Sequence, residues 1–127
     1  VLELGLTEQV APIQLVIRLL VPAGSLLLDH PDLHWASFAP EKLSHPWHNP
    51  DPAVDTLQRT LAAEVESAEA QGLSRAEIFA RLWRLTHEAL GDAAAPINLD
   101  ASGPEIPQMS EPWYCCAEPT ELQRARL

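Results

Sequence analysis

Two adjacent cysteines, Cys115 and Cys116, are the only cysteines of the chain, and they lie in an aromatic- and proline-flanked stretch. Consecutive Cα atoms are about 3.8 Å apart across a trans peptide bond, whereas ordinary disulfides join Cα atoms roughly 4.4–6.8 Å apart. A disulfide between neighbours is therefore strained, and a strained disulfide is readily reduced. The pair suits switching between dithiol and disulfide better than cross-linking a fold, with chance placement of two ordinary thiols as the alternative.

Composition narrows the class of protein. The chain has 127 residues, enough for one modest domain, and its 18 acidic residues against 8 basic ones give a formal charge of −10. This balance argues against nucleic acid or an anionic membrane surface as a partner. The most apolar stretch, residues 15–21, is too short to span a bilayer, and we find no secretory signal. We therefore expect a reducing, cytoplasmic setting. Because the chain opens at Val1 without Met, we expect a fragment of a longer protein.

The strand that the pattern favours most lies in residues 1–28. It runs from Ile13 to Val21, is rich in β-branched residues and ends at a Pro-Ala-Gly turn. One of its faces is wholly apolar, and the other carries Gln14 and Arg18. A strand that is apolar on nearly both faces is typical of a buried parallel sheet, so its partner strands must come from elsewhere.

Two helices are predicted within residues 51–91. The first runs over about 52–70, with Asp51 as its N-cap and a proline at its first position. The second begins at Ser74, whose capping box fixes the start, and it ends at Gly91. The short link between them predicts an antiparallel helical hairpin.

Apolar stripes at spacings of three and four should hold this hairpin together. The stripe of the first helix consists of Val54, Leu57, Leu61, Val65 and Ala68. That of the second consists of Ile78, Leu82, Leu85 and Ala89.

Proline-rich segments flank the hairpin. Residues 29–50 form a loop, and residues 92–127 form an extended tail that carries the cysteines. The predicted fold class is thus mainly α with one or two strands: a helical hairpin plus an extended tail.

The tail also resembles a known family. Residues 111–120 read EPWYCCAEPT, which is similar to the C-terminal signature of the CUAEP/CCAEP-tail radical SAM proteins. Residues 12–27, PIQLVIRLLVPAGSLL, resemble the segment that closes the radical SAM core in those proteins. The resemblance implies that residues 1–28 are the end of a partial (β/α) barrel, with residues 13–21 as its last strand.

The resemblance implies cofactors for the complete protein rather than for this chain. A [4Fe–4S] cluster and S-adenosylmethionine are implied, and cobalamin is left open. The cluster of such enzymes needs a Cys-x3-Cys-x2-Cys loop, which this sequence lacks. The chain is thus expected to be catalytically incomplete, to bind no cofactor alone, and to have the remainder of the radical SAM chain and a small-molecule substrate as partners. Gln14 and Arg18 would face the barrel lumen, where Arg18 could bind a carboxylate of S-adenosylmethionine or substrate. A structural carboxylate is the alternative partner for Arg18.

No metal site is predicted. Four of the five histidines lie in the loop over residues 29–50: His30, His34, His45 and His48. No Cys/His spacing in the sequence matches a zinc template. Asp51 and Asp55 lie at a helix N-terminus, where the helix dipole accounts for acidic residues.

Two functional hypotheses follow from these patterns. In the first, the chain is the C-terminal part of a radical SAM oxidoreductase, with Cys115 and Cys116 as a redox pair that serves the active site. In the alternative, it is a non-enzymatic helical interaction module in which the cysteines are incidental.

Overall fold

The computed structural model describes residues 1–31 and 37–99. Within them, helix α1 spans Pro52–Ala70 and helix α2 spans Arg75–Leu90. Three short 3-10 helices precede these, at Pro12–Leu15, Leu26–Asp29 and Pro40–Lys42. The described residues contain no strand, so the mainly helical character is confirmed for this part of the chain and the strand component is not found there.

The predicted strand from Ile13 to Val21 is wrong. Residues Pro12–Leu15 form a 3-10 helix, which the fixed φ of Pro12 favours, and the N–H of Val16 donates to the carbonyl of Ile13 at 3.1 Å. Val16 is buried in a cluster with residues of α1 and α2, whereas Ile17 and Leu19 are each 43% exposed. A short apolar run serves either environment, which is why its periodicity did not distinguish them.

Local signals in the sequence fix both helices. Asp51 Oδ1 accepts a hydrogen bond from the N–H of Ala53 at 2.9 Å, as expected of a residue that caps α1. Ser74 and Glu77 form the predicted capping box of α2: the N–H of Glu77 donates to Ser74 Oγ at 3.3 Å, and the N–H of Ser74 donates to Glu77 Oε2 at 2.8 Å. Gly91 follows α2 with φ of 76°, a left-handed conformation that stops the helix.

One compact unit is built on this hairpin. Among the described residues it comprises 1–17 and 56–99. Its centre is an apolar cluster to which both helices and the first segment contribute: Val16, Val65, Ala68, Ile78 and Leu82. Leu73, which precedes the N-cap of α2, packs against the same cluster. Four positions of the predicted stripes are therefore confirmed as buried, namely Val65, Ala68, Ile78 and Leu82. The outer ends of the stripes are not: Val54 is 47% exposed, and Ala89 is also exposed.

A second compact unit comprises residues 18–31 and 37–55 of the described chain. Val21 is fully buried in it, and the carbonyl of Val21 accepts a hydrogen bond from the N–H of His45 at 2.8 Å. Ser44 is also fully buried, and its Oγ has no hydrogen-bond partner among the described residues. Leu43, which precedes it, adopts φ of 54°, and this left-handed residue closes a tight turn between Ala39 and Ser44.

A membrane-spanning helix was sought in the same residues. Neither α1 nor α2 combines the length and the apolar character that crossing a bilayer requires.

Candidate functional site

Asp55 is a carboxylate buried in the first turn of α1, with 6% of its surface exposed. It belongs to the second unit, together with every side chain that contacts it here. Asp51 already accepts from the first turn of the helix, so the Asp55 carboxylate is available to other donors. The backbone N–H of Asn49 supplies one of these, at 3.3 Å from Oδ1 and 3.2 Å from Oδ2.

Arg18 provides the positive charge beside Asp55. Its Nη1 lies 3.1 Å from Asp55 Oδ1, and its Nη2 donates to the carbonyl of Trp47. The guanidinium carbon also lies 4.4 Å from the centroid of the Trp47 ring, a cation–π contact. Trp47 is held in turn, because its Nε1 donates to the carbonyl of Leu19 at 2.9 Å. The guanidinium is therefore fixed on three sides by groups of its own unit.

His48 completes the group around the carboxylate. Its Nδ1 lies 3.1 Å from Asp55 Oδ2, while 81% of its side chain is exposed to solvent. The site thus has a buried acid, a largely buried cation and an exposed imidazole that is held through one ring nitrogen.

These contacts set the ionisation of Asp55. Burial raises the pKa of Asp55, but hydrogen bonds from the Asn49 N–H, from His48 and from Arg18, together with the Arg18 charge, lower it further than burial raises it. The net pKa lies below the ordinary value, so the carboxylate is ionised at neutral pH.

The two residues predicted to share a lumen face do not form such a face here. That prediction required alternation along a strand, and residues 13–21 contain none. Gln14 is exposed on the 3-10 helix of the hairpin unit, and Arg18 is bound to Asp55. The structure therefore shows Arg18 bound to a carboxylate of the chain itself, which was the alternative partner considered for it. Binding of S-adenosylmethionine or substrate by Gln14 and Arg18 stays a prediction.

The predicted redox pair, Cys115 and Cys116, lies outside the described residues, and its role stays a prediction. His34 lies outside them as well. Within the described ranges, no group of three or more His, Cys, Asp or Glu side chains is arranged to hold a metal ion. His45 instead packs edge-on against Phe38, with 5.3 Å between ring centroids.

Sequence reasoning missed Asp55. Its place in the first turn of a helix suggested no more than an interaction with the dipole, yet it is the residue on which Arg18, His48 and Asn49 converge. A signal was present in the spacing of α1, since Asp55, Gln58, Ala62 and Val65 recur at intervals of three and four and share one helix face. A polar start to an otherwise apolar stripe indicates a buried polar contact.

No protein-family model, curated protein or solved structure matches this chain.

Proposed function

We propose that the chain is the C-terminal part of a radical SAM oxidoreductase, in which Cys115 and Cys116 act as a redox pair for the active site. The observation that carries the proposal is the tail sequence EPWYCCAEPT at residues 111–120, with its adjacent thiols. The barrel-strand interpretation of residues 13–21 is not part of its support.

The redox step is a two-electron change. As one disulfide forms, Cys115 and Cys116 each give up one proton and one electron, and the two protons and two electrons together reduce an oxidised group of the substrate-derived intermediate. A small dithiol reductant then returns the disulfide to two thiols. Strain in a disulfide between neighbours favours this return, since a strained disulfide is more oxidising than a structural one.

A [4Fe–4S] cluster does not fit this chain alone. The chain has two cysteines, which are adjacent, whereas the cluster is held by thiolates that surround it. The cluster and the S-adenosylmethionine that it cleaves therefore belong to other parts of the complete protein. This chain contributes the helical hairpin and the tail that follows it to the complete protein.

The test is made on the complete protein, purified without oxygen. The variants Cys115→Ser and Cys116→Ser should keep wild-type iron and sulfide content and should still form 5′-deoxyadenosine. Product formed per 5′-deoxyadenosine should fall at least about tenfold, which corresponds to about 1.4 kcal/mol of barrier. Ser110→Ala, beside the motif, is the matched control and should behave like the wild type. Unchanged product yield in both cysteine variants would remove the redox role.

A second candidate is a helical interaction module. The observation that favours it is the hairpin itself, which has its own capping box and its own apolar cluster. The reading frame upstream of Val1 separates the two proposals. A Cys-x3-Cys-x2-Cys loop encoded there supports the enzyme, and its absence together with silent cysteine variants supports the interaction module.

A further inference from the structure

His48 is held at one ring nitrogen and open at the other. Its Nδ1 lies 3.1 Å from Asp55 Oδ2, and its side chain is 81% exposed. An ionised carboxylate accepts hydrogen bonds and donates none, so the hydrogen between these two atoms belongs to Nδ1. In the neutral ring, Nε2 therefore carries the lone pair, and the exposure of the side chain lets solutes reach it.

The carboxylate that sets this tautomer is itself fixed. The Asn49 N–H contacts both of its oxygens, and Arg18 Nη1 contacts Oδ1 at 3.1 Å. Arg18 cannot swing away freely, because the Trp47 carbonyl and the Trp47 ring also hold it. The His48 ring is thus oriented by a rigid acceptor, and Asp55 also stabilises positive charge that forms on the ring.

We propose that His48 is a reactive nucleophile toward activated acyl groups, with Asp55 as the residue that positions it. Histidine is among the side chains that form covalent intermediates, and a carboxylate behind the imidazole fixes its tautomer and stabilises the charge that forms on it. The ligand class is a small ester or thioester with a good leaving group. This site does not involve Cys115 or Cys116, so it stands or falls independently of the redox proposal.

The reaction consists of two balanced steps. The lone pair of His48 Nε2 forms a bond to the carbonyl carbon, and the leaving group departs with the electron pair of the bond that breaks. The resulting acyl-imidazolium carries one positive charge, which faces Asp55. Water then attacks the acyl carbon, and the N–C bond breaks with its electron pair returning to Nε2. One proton of the water leaves with the released carboxylic acid, and the other goes to solvent. His48 returns to the neutral ring with its hydrogen on Nδ1.

The kinetic test uses the purified protein with p-nitrophenyl acetate as the probe, followed by release of p-nitrophenolate. His48→Gln should lower the protein-dependent rate at least about tenfold, a smaller loss than the roughly 10²–10⁴-fold that a positioned acid or base contributes. Asp55→Asn should lower it in the same direction, because an amide no longer fixes the tautomer. His30→Gln, at an exposed histidine of the same unit, is the matched control and should keep the wild-type rate.

Two further measurements keep the test decisive where Asp55→Asn fails to fold. Mass spectrometry of briefly treated wild-type protein should locate the acetyl group on His48 before other histidines. Nitrogen NMR shifts of the wild-type His48 ring should show hydrogen on Nδ1. An unchanged rate in His48→Gln, acetylation spread evenly over His30 and His45, or a ring with hydrogen on Nε2 would each overturn the proposal.

Discussion

The two compact units of this chain are stabilised by different interactions. The hairpin unit centres on an apolar cluster to which α1 and α2 both contribute, and its capping hydrogen bonds lie at the helix ends. The second unit buries Val21 with two polar residues, Ser44 and Asp55, and its hydrogen bonds converge on the Asp55 carboxylate.

Because of this difference, the two units are expected to differ in how their stability depends on pH and in the chemistry that they can support. Apolar burial is non-directional and does not depend on protonation, so the apolar cluster of the hairpin should be insensitive to pH. A buried carboxylate depends on its ionisation and on the geometry of every donor around it. The same dependence lets the second unit hold an imidazole in a chosen orientation, which an apolar cluster cannot do.

The largest expected effect comes from breaking the apolar unit. Ile78 is 1% exposed at the centre of the cluster, so Ile78→Ala leaves a cavity and should lower the free energy of unfolding by about 2–5 kcal/mol. Urea denaturation followed by far-ultraviolet circular dichroism measures it. Leu90→Ala, at a position 65% exposed, is the control and should change stability by less than about 0.5 kcal/mol. Equal losses in both variants would mean that the cluster is not the source of hairpin stability.

The next effect should appear in the second unit, as a dependence on acid. The pKa of Asp55 in the folded chain lies below its ordinary value of 3.8, so its contribution to stability is fully present above that value. The contribution is lost as pH falls through the lower, folded pKa. The NMR signal of the Trp47 indole N–H, which donates to Leu19, reports on this unit during acid titration.

Variants sharpen the acid test. Asp55→Asn should remove this acid transition and weaken the Trp47 signal already at neutral pH, since the charge that binds Arg18 is gone. Glu66→Gln, at an exposed position of α1, is the matched control and should titrate like the wild type. An unchanged transition in Asp55→Asn would assign it to another group.

The smallest expected effect tests a helix end. Ser74→Ala removes the side-chain oxygen that accepts from the Glu77 N–H, and it should cost about 1 kcal/mol of hairpin stability. Ser67→Ala, at an exposed position in the last turn of α1 where the Oγ accepts only an exposed hydrogen bond from Gln71, is the control and should stay within about 0.5 kcal/mol of the wild type. Thermal unfolding of the two variants side by side is the measurement. A Ser74→Ala variant as stable as the control would show that the capping box contributes nothing to the hairpin.

Much of the hairpin could be predicted from the sequence, and the candidate site could not. Ser74 and Gly91 mark the ends of α2 because capping bonds join residues three or four apart, and the inner stripe positions follow from helical periodicity. Residues 13–21 were assigned to a strand because an apolar, β-branched run suits a sheet and a helix surface equally well. Its actual partners, Val65 and Ile78, are distant in the chain.

The sequence by itself therefore determined the two helices, their caps and the cluster residues that the helices contribute, because each rests on contacts within a few residues or on a periodic pattern. It also determined the adjacency of Cys115 and Cys116, which is a matter of covalent order. Only the tertiary structure decided that Arg18, 37 residues away, binds the Asp55 carboxylate beside His48. Such a meeting depends on how the intervening chain folds back, and no local pattern encodes it.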